Sequence, residues 1–251
     1  GARPLAVVNC LNFGNPEHAE VMWQLSEAID GMAEACDAFG VPVIGGNVSL
    51  YNESQGADID PSPVIGLLGL VDRLDAVPPG LAWAEGDRLL LVGSTEGAEL
   101  GGSAWAFARG HRRGSLPPLH LPVVRQVADA VCELVADGVV SAAHDVSSGG
   151  LGVCLAEMAI AAGVGARLAR IADHADLFSE AVGRVLLAVH PDRVSDVEAR
   201  LARAGVASSR IGLATADRLV VKGLVDVALS ELTSASERRL PEALGHGTTQ
   251  D

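Results

Sequence analysis

At 251 residues, 49% of them hydrophobic but only 3% aromatic, the chain can bury one large or two modest cores built from Val, Leu, Ala and Ile. Its 18 Lys and Arg against 32 Asp and Glu leave a formal charge of −14, which excludes non-specific binding to nucleic acid or to an anionic membrane surface. No signal peptide opens the sequence and no apolar run reaches the ~18 residues of a membrane span, so the expected location is cytoplasmic.

In chain order, residues 5–8 are predicted as a short buried strand, followed by a polar turn over residues 9–16. Met22, Leu25, Ile29, Met32, Cys36 and Phe39 recur every three or four residues, which predicts a long helix with one apolar stripe, stopped by Gly40. Residues 41–44 form a second predicted strand, running into Gly45-Gly46-Asn47-Val48-Ser49, which reads as a loop. Residues 52–63 are polar, hold two prolines and read as another loop, and residues 63–71 read as a third strand. A domain seam is expected at Val77-Pro78-Pro79-Gly80. Beyond it come a strand at 88–92 and helices at 99–109 and 123–136, flanking a flexible stretch at 110–122. A turn at 143–150 then opens a helix running to about Ala162. A strand at 185–189, a helix at 192–204, strands at 210–214 and 218–221 and a helix at 224–232 complete the pattern.

This alternation predicts an α/β (α+β) architecture with domains at 1–78 and 79–233 and a fraying polar tail at 234–251. Three strands and one helix are thin for an independent α/β domain. The expectation is therefore a fragment, or a chain whose missing part another chain supplies.

A strand ending in Gly-Gly offers main-chain N–H groups that an anion can approach closely. Asn47 adds a neutral oxygen suited to a hard cation such as Mg²⁺, and Ser49 adds a hydroxyl for a phosphate or substrate oxygen. A plain tight turn is the alternative, and the segment is no P-loop, because no Gly-Lys-Ser/Thr follows. The turn holding Asn9, Asn12 and Asn15 is either structural or a second loop facing Gly46 across adjacent strand ends, where open α/β sheets bind ligands. At His144-Asp145-Val146-Ser147-Ser148-Gly149-Gly150, Asp and Ser are expected to cap the next helix, with an anion site at its N-terminus as the other reading. No nucleophile elbow is present, and Arg112-Arg113 and Arg238-Arg239 read as solvated. Cys10, Cys36, Cys132 and Cys154 form no C-x-x-C pair and read as reduced, buried, unreactive thiols.

Taken together, Asn12-Phe13-Gly14-Asn15-Pro16-Glu17, Gly45 to Glu53 in the order GGNVSLYNE, and His144 to Leu151 in the order HDVSSGGL resemble the second half of phosphoribosylformylglycinamidine synthase. The resemblance implies a third domain lacking its first strands, similar to the N-terminal domain of aminoimidazole ribonucleotide synthetase, followed by a fourth that is similar to its C-terminal domain. It also implies the activity of that purine-biosynthesis enzyme. ATP phosphorylates the amide oxygen of formylglycinamide ribonucleotide, and ammonia displaces the phosphate to give the amidine, with metal and loop amides stabilising the transferring group.

By the same resemblance, Asn9 and Gly46 contact ATP, Asn47 binds Mg²⁺ and Ser49 touches the phosphorylated ribonucleotide substrate. Asn9 stands where many members carry Asp, and Cys10 where Asn is common. The implied partners are the missing N-terminal half of the subunit, which holds the catalytic His, a separate glutaminase supplying ammonia, and a small assembly subunit. No catalytic residue is expected on this chain, and a fragment alone is expected to be inactive. Selenophosphate synthetase and thiamine-monophosphate kinase are related alternatives, but they need an acidic metal cluster that is not found before Asn9. The non-enzymatic alternative is a scaffold with a degenerate nucleotide site.

Overall fold

The computed structural model describes residues 1–72, 79–93 and 99–245. Two compact units emerge, Gly1–Asp75 and Ala76–Asp251. Val77 and Pro78 of the expected seam lie outside the described residues.

The first unit holds β1 (Arg3–Asn12), α1 (Ala19–Phe39), β2 (Val43–Ser49), β3 (Glu53–Ser54), β4 (Ala57–Asp58) and β5 (Ser62–Leu70). Its main sheet has the order β2-β1-β5, with β1 parallel to β2 and antiparallel to β5. Helix α1 covers one face, where Leu11, Phe13, Val21 and Leu25 form the core with Ala28, Met32 and Leu50 against it. The buried stripe is therefore shifted from the predicted one, since Met22 and Ile29 are exposed. Gly40 ends the helix as expected, at φ 65°, its N–H reaching the carbonyls of Cys36 and Asp37.

Residues 9–12 of the expected turn and all of the expected loop at 45–49 are strand, while residues 13–16 remain outside it. β1 continues through Asn12 and β2 through Ser49, paired from Val8↔Gly45 to Asn12↔Ser49. A continuous parallel ladder satisfies these backbone groups better than isolated turns, which overrides the turn preference of Asn and Gly. Residues 52–63 are not a plain loop either. Glu53–Ser54 pairs with Ala57–Asp58 across Gln55 and Gly56, both at positive φ (54° and 78°), the geometry of a two-residue hairpin turn. Every residue of β5 is exposed, so both of its faces are bare.

The second unit comprises β6 (Arg88–Val92), α2 (Ala104–Ala108), α3 (Leu121–Ala136), β7 (Ala142–Asp145), α4 (Gly150–Ala162), β8 (Ala166–Leu168) and α5 (His174–Phe178). There follow β9 (Val185–Val189), a 3-10 turn (Pro191–Arg193), α6 (Val194–Arg203), β10 (Ser208–Ala214), β11 (Arg218–Val221), β12 (Val225–Ala228) and α7 (Leu229–Ala243). Seven strands form one mixed sheet, β12-β11-β8-β10-β6-β9-β7, in which only the β8–β11 pair is parallel.

Successive residues of β6 alternate between two cores, as the two-residue period of a strand requires. Leu89 and Leu91 join Leu151, Leu155 and Met158 of α4, while Leu90 and Val92 join Leu134 of α3 and Leu201 of α6. Helices on both faces of a sheet make this the α/β class that the alternation predicts.

Three expectations for this unit are corrected. The helix expected at 99–109 is only α2, because Gly102 sits at φ 72° and Gly101 abuts the Ser115 carbonyl. The helix expected at 224–232 divides: residues 225–228 pair with β11, and the helix starts at Leu229. The tail expected to fray from residue 234 is helical as far as Ala243, with Leu229 and Leu232 packed on the first core. Among the cysteines only Cys154 is fully buried, its thiol pKa pushed up by that burial, while Cys10, Cys36 and Cys132 are half-buried. Among the described residues no helix is long and apolar enough to cross a membrane.

Candidate functional site

The parallel β1–β2 ladder places Asn9 directly beside Gly46 and Cys10 beside Asn47, and Ser49 ends the ladder opposite Asn12. Asn9 lies on the α1 side, its Nδ2 reaching the Met32 sulfur at 3.4 Å. Gly46, at φ 150°, has no room for a side chain. A Cβ there would lie 2.1 Å from the Asn9 carbonyl oxygen and 2.2 Å from its Oδ1. The glycine thus serves strand approach as well as main-chain exposure. Asn47 and Ser49, two residues apart, share the face that α1 leaves open, and Asn47 is exposed.

Asn52 fixes Ser49, and sequence reasoning assigned it no role. Its Nδ2 donates to the Phe13 carbonyl (2.9 Å), the Ser49 carbonyl (3.0 Å) and Ser49 Oγ (3.1 Å), while the Ser49 hydroxyl reaches Asn52 Oδ1 at 3.2 Å. One amide thereby joins the ends of β1 and β2. The readable signal was its three-residue spacing from Ser49, the reach of a local turn bond.

A second clasp lies beside it. Asp58 accepts from the Asn15 backbone N–H at 2.7 Å and meets His18 Nδ1 at 2.7 Å. A Cβ at Gly14 would lie 2.5 Å from Asp58, so the Phe13-Gly14 turn and the β3–β4 hairpin fit only with glycine there. The Asn15 N–H bond, then His18, holds the Asp58 carboxyl below its ordinary value of 3.8. A depressed carboxylate contributes stability that is present above that ordinary value and is lost as pH falls through the folded one. Acid titration followed by NMR is therefore expected to show an Asn15 amide transition below about pH 3.8, and Asp58→Asn should abolish that transition. An Asn15 amide with no transition below that pH would refute the clasp.

The motif in the second unit folds differently from its expected capping pattern. Gly149, at φ 80°, is the N-cap of α4, with no side chain of its own segment capping the helix. Glu180 does so instead, accepting from the N–H groups of Gly149 and Ala104, both at 2.7 Å, and so holding the first turns of α4 and α2. The anion place at this helix end is therefore occupied by the chain's own carboxylate. His144, with a side chain only 14% exposed, is placed between Asp145 Oδ1 (3.2 Å) and Glu157 Oε2 (2.9 Å).

Asn9, Gly46, Asn47, Ser49 and Asn52 are neutral, and with Asn9 on the α1 side and Asn47 and Ser49 on the opposite face they offer donors, acceptors and bare main chain but no general base. Among the described residues no three His, Cys, Asp or Glu side chains gather to hold a metal. Asn47 fits one coordination position of a hard cation whose remaining ligands are phosphate oxygens and water.

Residues 84–223 match the family described as AIR synthase related protein, C-terminal domain, and residues 1–71 match its N-terminal domain. The chain belongs to this family. It is 41% identical over 98% of its length to phosphoribosylformylglycinamidine synthase subunit PurL of Renibacterium salmoninarum, and 43% identical over 98% to that of a Parafrankia species. It spans 33% of the length of each of these relatives. Among solved structures, T. maritima PurL complexed with ATP matches 92% of the chain and 38% of its own, with a TM-score of 0.66 and 18% identity. The structure of PurLQS from Thermotoga maritima matches 93% of the chain and 38% of its own, with a TM-score of 0.68 and 17% identity. The hydrogenase maturation protein HypE matches 88% of the chain and 74% of its own, with a TM-score of 0.62 and 18% identity. At these identities the structures establish the fold.

Proposed function

We propose that the chain supplies the third and fourth domains of a PurL-type synthetase, with limits at 1–78 and 79–233. This synthetase uses ATP and ammonia to convert formylglycinamide ribonucleotide to formylglycinamidine ribonucleotide in purine biosynthesis. The observation that carries the proposal is the 40–43% identity of the five PurL relatives to almost the whole chain. Solved PurL relatives in complex with ATP and with FGAR support the same substrates here. In this reading Asn9 and Gly46 contact ATP, Asn47 contributes one oxygen to a nucleotide-bound Mg²⁺, and Ser49, held by Asn52, touches the ribonucleotide.

The N-terminal half of the subunit, a separate glutaminase and a small assembly subunit complete the cytoplasmic machine. Relatives about three times as long and the bare faces of β5 support the missing half, and the likeness to the PurLQS structure supports further subunits. Mixing the chain with the rest of a PurL-type subunit, Mg-ATP, formylglycinamide ribonucleotide and ammonia should yield ADP. Asn47→Ala should lower that rate about tenfold, the effect of losing one charge-assisted contact. Unchanged turnover in Asn47→Ala sinks the residue's assignment, and no ADP from folded wild-type parts sinks the whole reading.

A scaffold with a degenerate nucleotide site is favoured by one observation, the turning of the Asn9 amide toward Met32. Heat from Mg-ATP binding that vanishes in Asn47→Ala would exclude it.

A further inference from the structure

On the second unit, far along the sequence from Asn9 and Gly46, α2 and α5 present a stack of three donors. The Trp105 and His174 rings lie 5.1 Å apart at 33°, and the Arg109 guanidinium sits 4.9 Å from the Trp105 centroid. These three side chains line an open cavity of about 440 Å³ together with Leu177, Phe178 and Leu224, of which Leu224 is exposed. Leu177 is fully buried and anchors that lining in the core.

Charge makes the rim unusual. The chain carries −14 overall, yet residues 109–113 read Arg-Gly-His-Arg-Arg. Among the described residues, none of these arginines forms an ion pair, and Arg112 lies 5.5 Å over the Phe107 ring instead. The carboxylates nearest in sequence to His174 and Leu224 are engaged elsewhere. Asp173 caps α5, Asp176 accepts from Ala172 N–H, and Asp226 pairs with Arg218. A guanidinium lying on an aromatic face keeps its N–H edge free for an oxyanion. An apolar lining beside a rim of donors selects a ligand of matching polarity.

We propose that the Trp105–Arg109–His174 stack and its apolar lining bind a small anion with a planar body. The oxyanion meets Arg109 and His174, and the ring lies on Leu177, Phe178 and Leu224. Nucleoside monophosphates and aromatic carboxylates share this chemistry. The site lies wholly within the second unit, and none of its residues is among those proposed for ATP.

The test uses the full chain labelled with ¹⁵N at the tryptophan indoles. The chain has three of them, Trp23, Trp83 and Trp105, and Trp105→Phe assigns the third by its loss. Adenosine monophosphate and 1-naphthoate, each added without Mg²⁺, should shift the Trp105 indole saturably. A shift by one alone decides between a phosphate and a carboxylate head and still supports the site. Arg109→Ala should weaken binding about tenfold, the value of one charge-assisted bond. His174→Ala should weaken it less, and Asn47→Ala should leave it unchanged. Adenosine and inorganic phosphate, which lack one half of the chemistry, should shift nothing. The proposal fails if neither anion shifts Trp105 in the millimolar range, if adenosine matches adenosine monophosphate, or if Arg109→Ala binds like the wild type.

Discussion

Gly46→Ala is expected to force β1 and β2 apart and to destabilise the first unit by on the order of 3 kcal/mol or more. The added methyl would stand 2.1 Å from the Asn9 carbonyl oxygen, a backbone atom that cannot swing aside. Its φ of 150° adds a conformational cost that only glycine escapes. Relief requires moving the strands, and the ladder from Val8 to Asn12 is the one that carries Asn47 and Ser49 into place.

Gly45→Ala is the control. It neighbours the same site, yet nothing lies within 4 Å of its Cβ position. Denaturant unfolding should show Gly46→Ala far below both the wild type and Gly45→Ala, with accelerated amide exchange in β1. ADP formation in the reconstituted mixture should fall with it. Equal midpoints for the two alanine variants would refute the packing argument.

Arg184→Met is expected to cost the second unit about 3 kcal/mol. Arg184 is only 5% exposed, and burial lowers its pKa. Its guanidinium donates to the Ser179 and Ala181 carbonyls, on either side of Glu180. Methionine keeps most of the stem volume but leaves both carbonyls without this donor. The loop then no longer presents Glu180 to Gly149 and Ala104, so the start of α4 loses its cap and that of α2 keeps only Ser103. Arg184→Lys should recover little, since one ammonium cannot reproduce two directed N–H bonds. Denaturant unfolding gives the free energy, and the Gly149 and Ala104 amide shifts report the lost cap. A change below about 0.5 kcal/mol, the range of ordinary surface substitutions, would refute this role.

Much of this was legible from periodicity alone. Leu89 to Val92 and Val185 to Val189 are continuous apolar runs, in strands whose bounds, 88–92 and 185–189, are those predicted. The glycine stop at residue 40 was readable because only one residue type takes that φ without strain. What failed was local chemistry overruled by distant pairing. Asn9 to Asn12 look like a turn until β2 and β5 lie on either side of them. Residues 225–228 look helical until β11 supplies a hairpin partner.

The same holds for the sites. Gly46, Asn47 and Ser49 stand out as a motif, but Asn52 and Asp58 matter through contacts that composition does not encode. Glu180 and Arg184 are equally silent in the sequence. One is a surface-like acid in a loop, the other a base that ought to be solvated, and only the fold turns them inward.

The strand order of the large sheet also sets a timetable for synthesis. β6 is the first of its seven strands to leave the ribosome, yet its neighbours in the sheet are β9 and β10. The apolar run from Leu89 to Val92 therefore emerges with no partner and waits until Val189 and then Ala214 have been made. Closing so long a stretch of chain makes folding slow. During that interval the nascent chain displays the segment that a chaperone would hold, and a pause in translation before β9 would prolong its exposure.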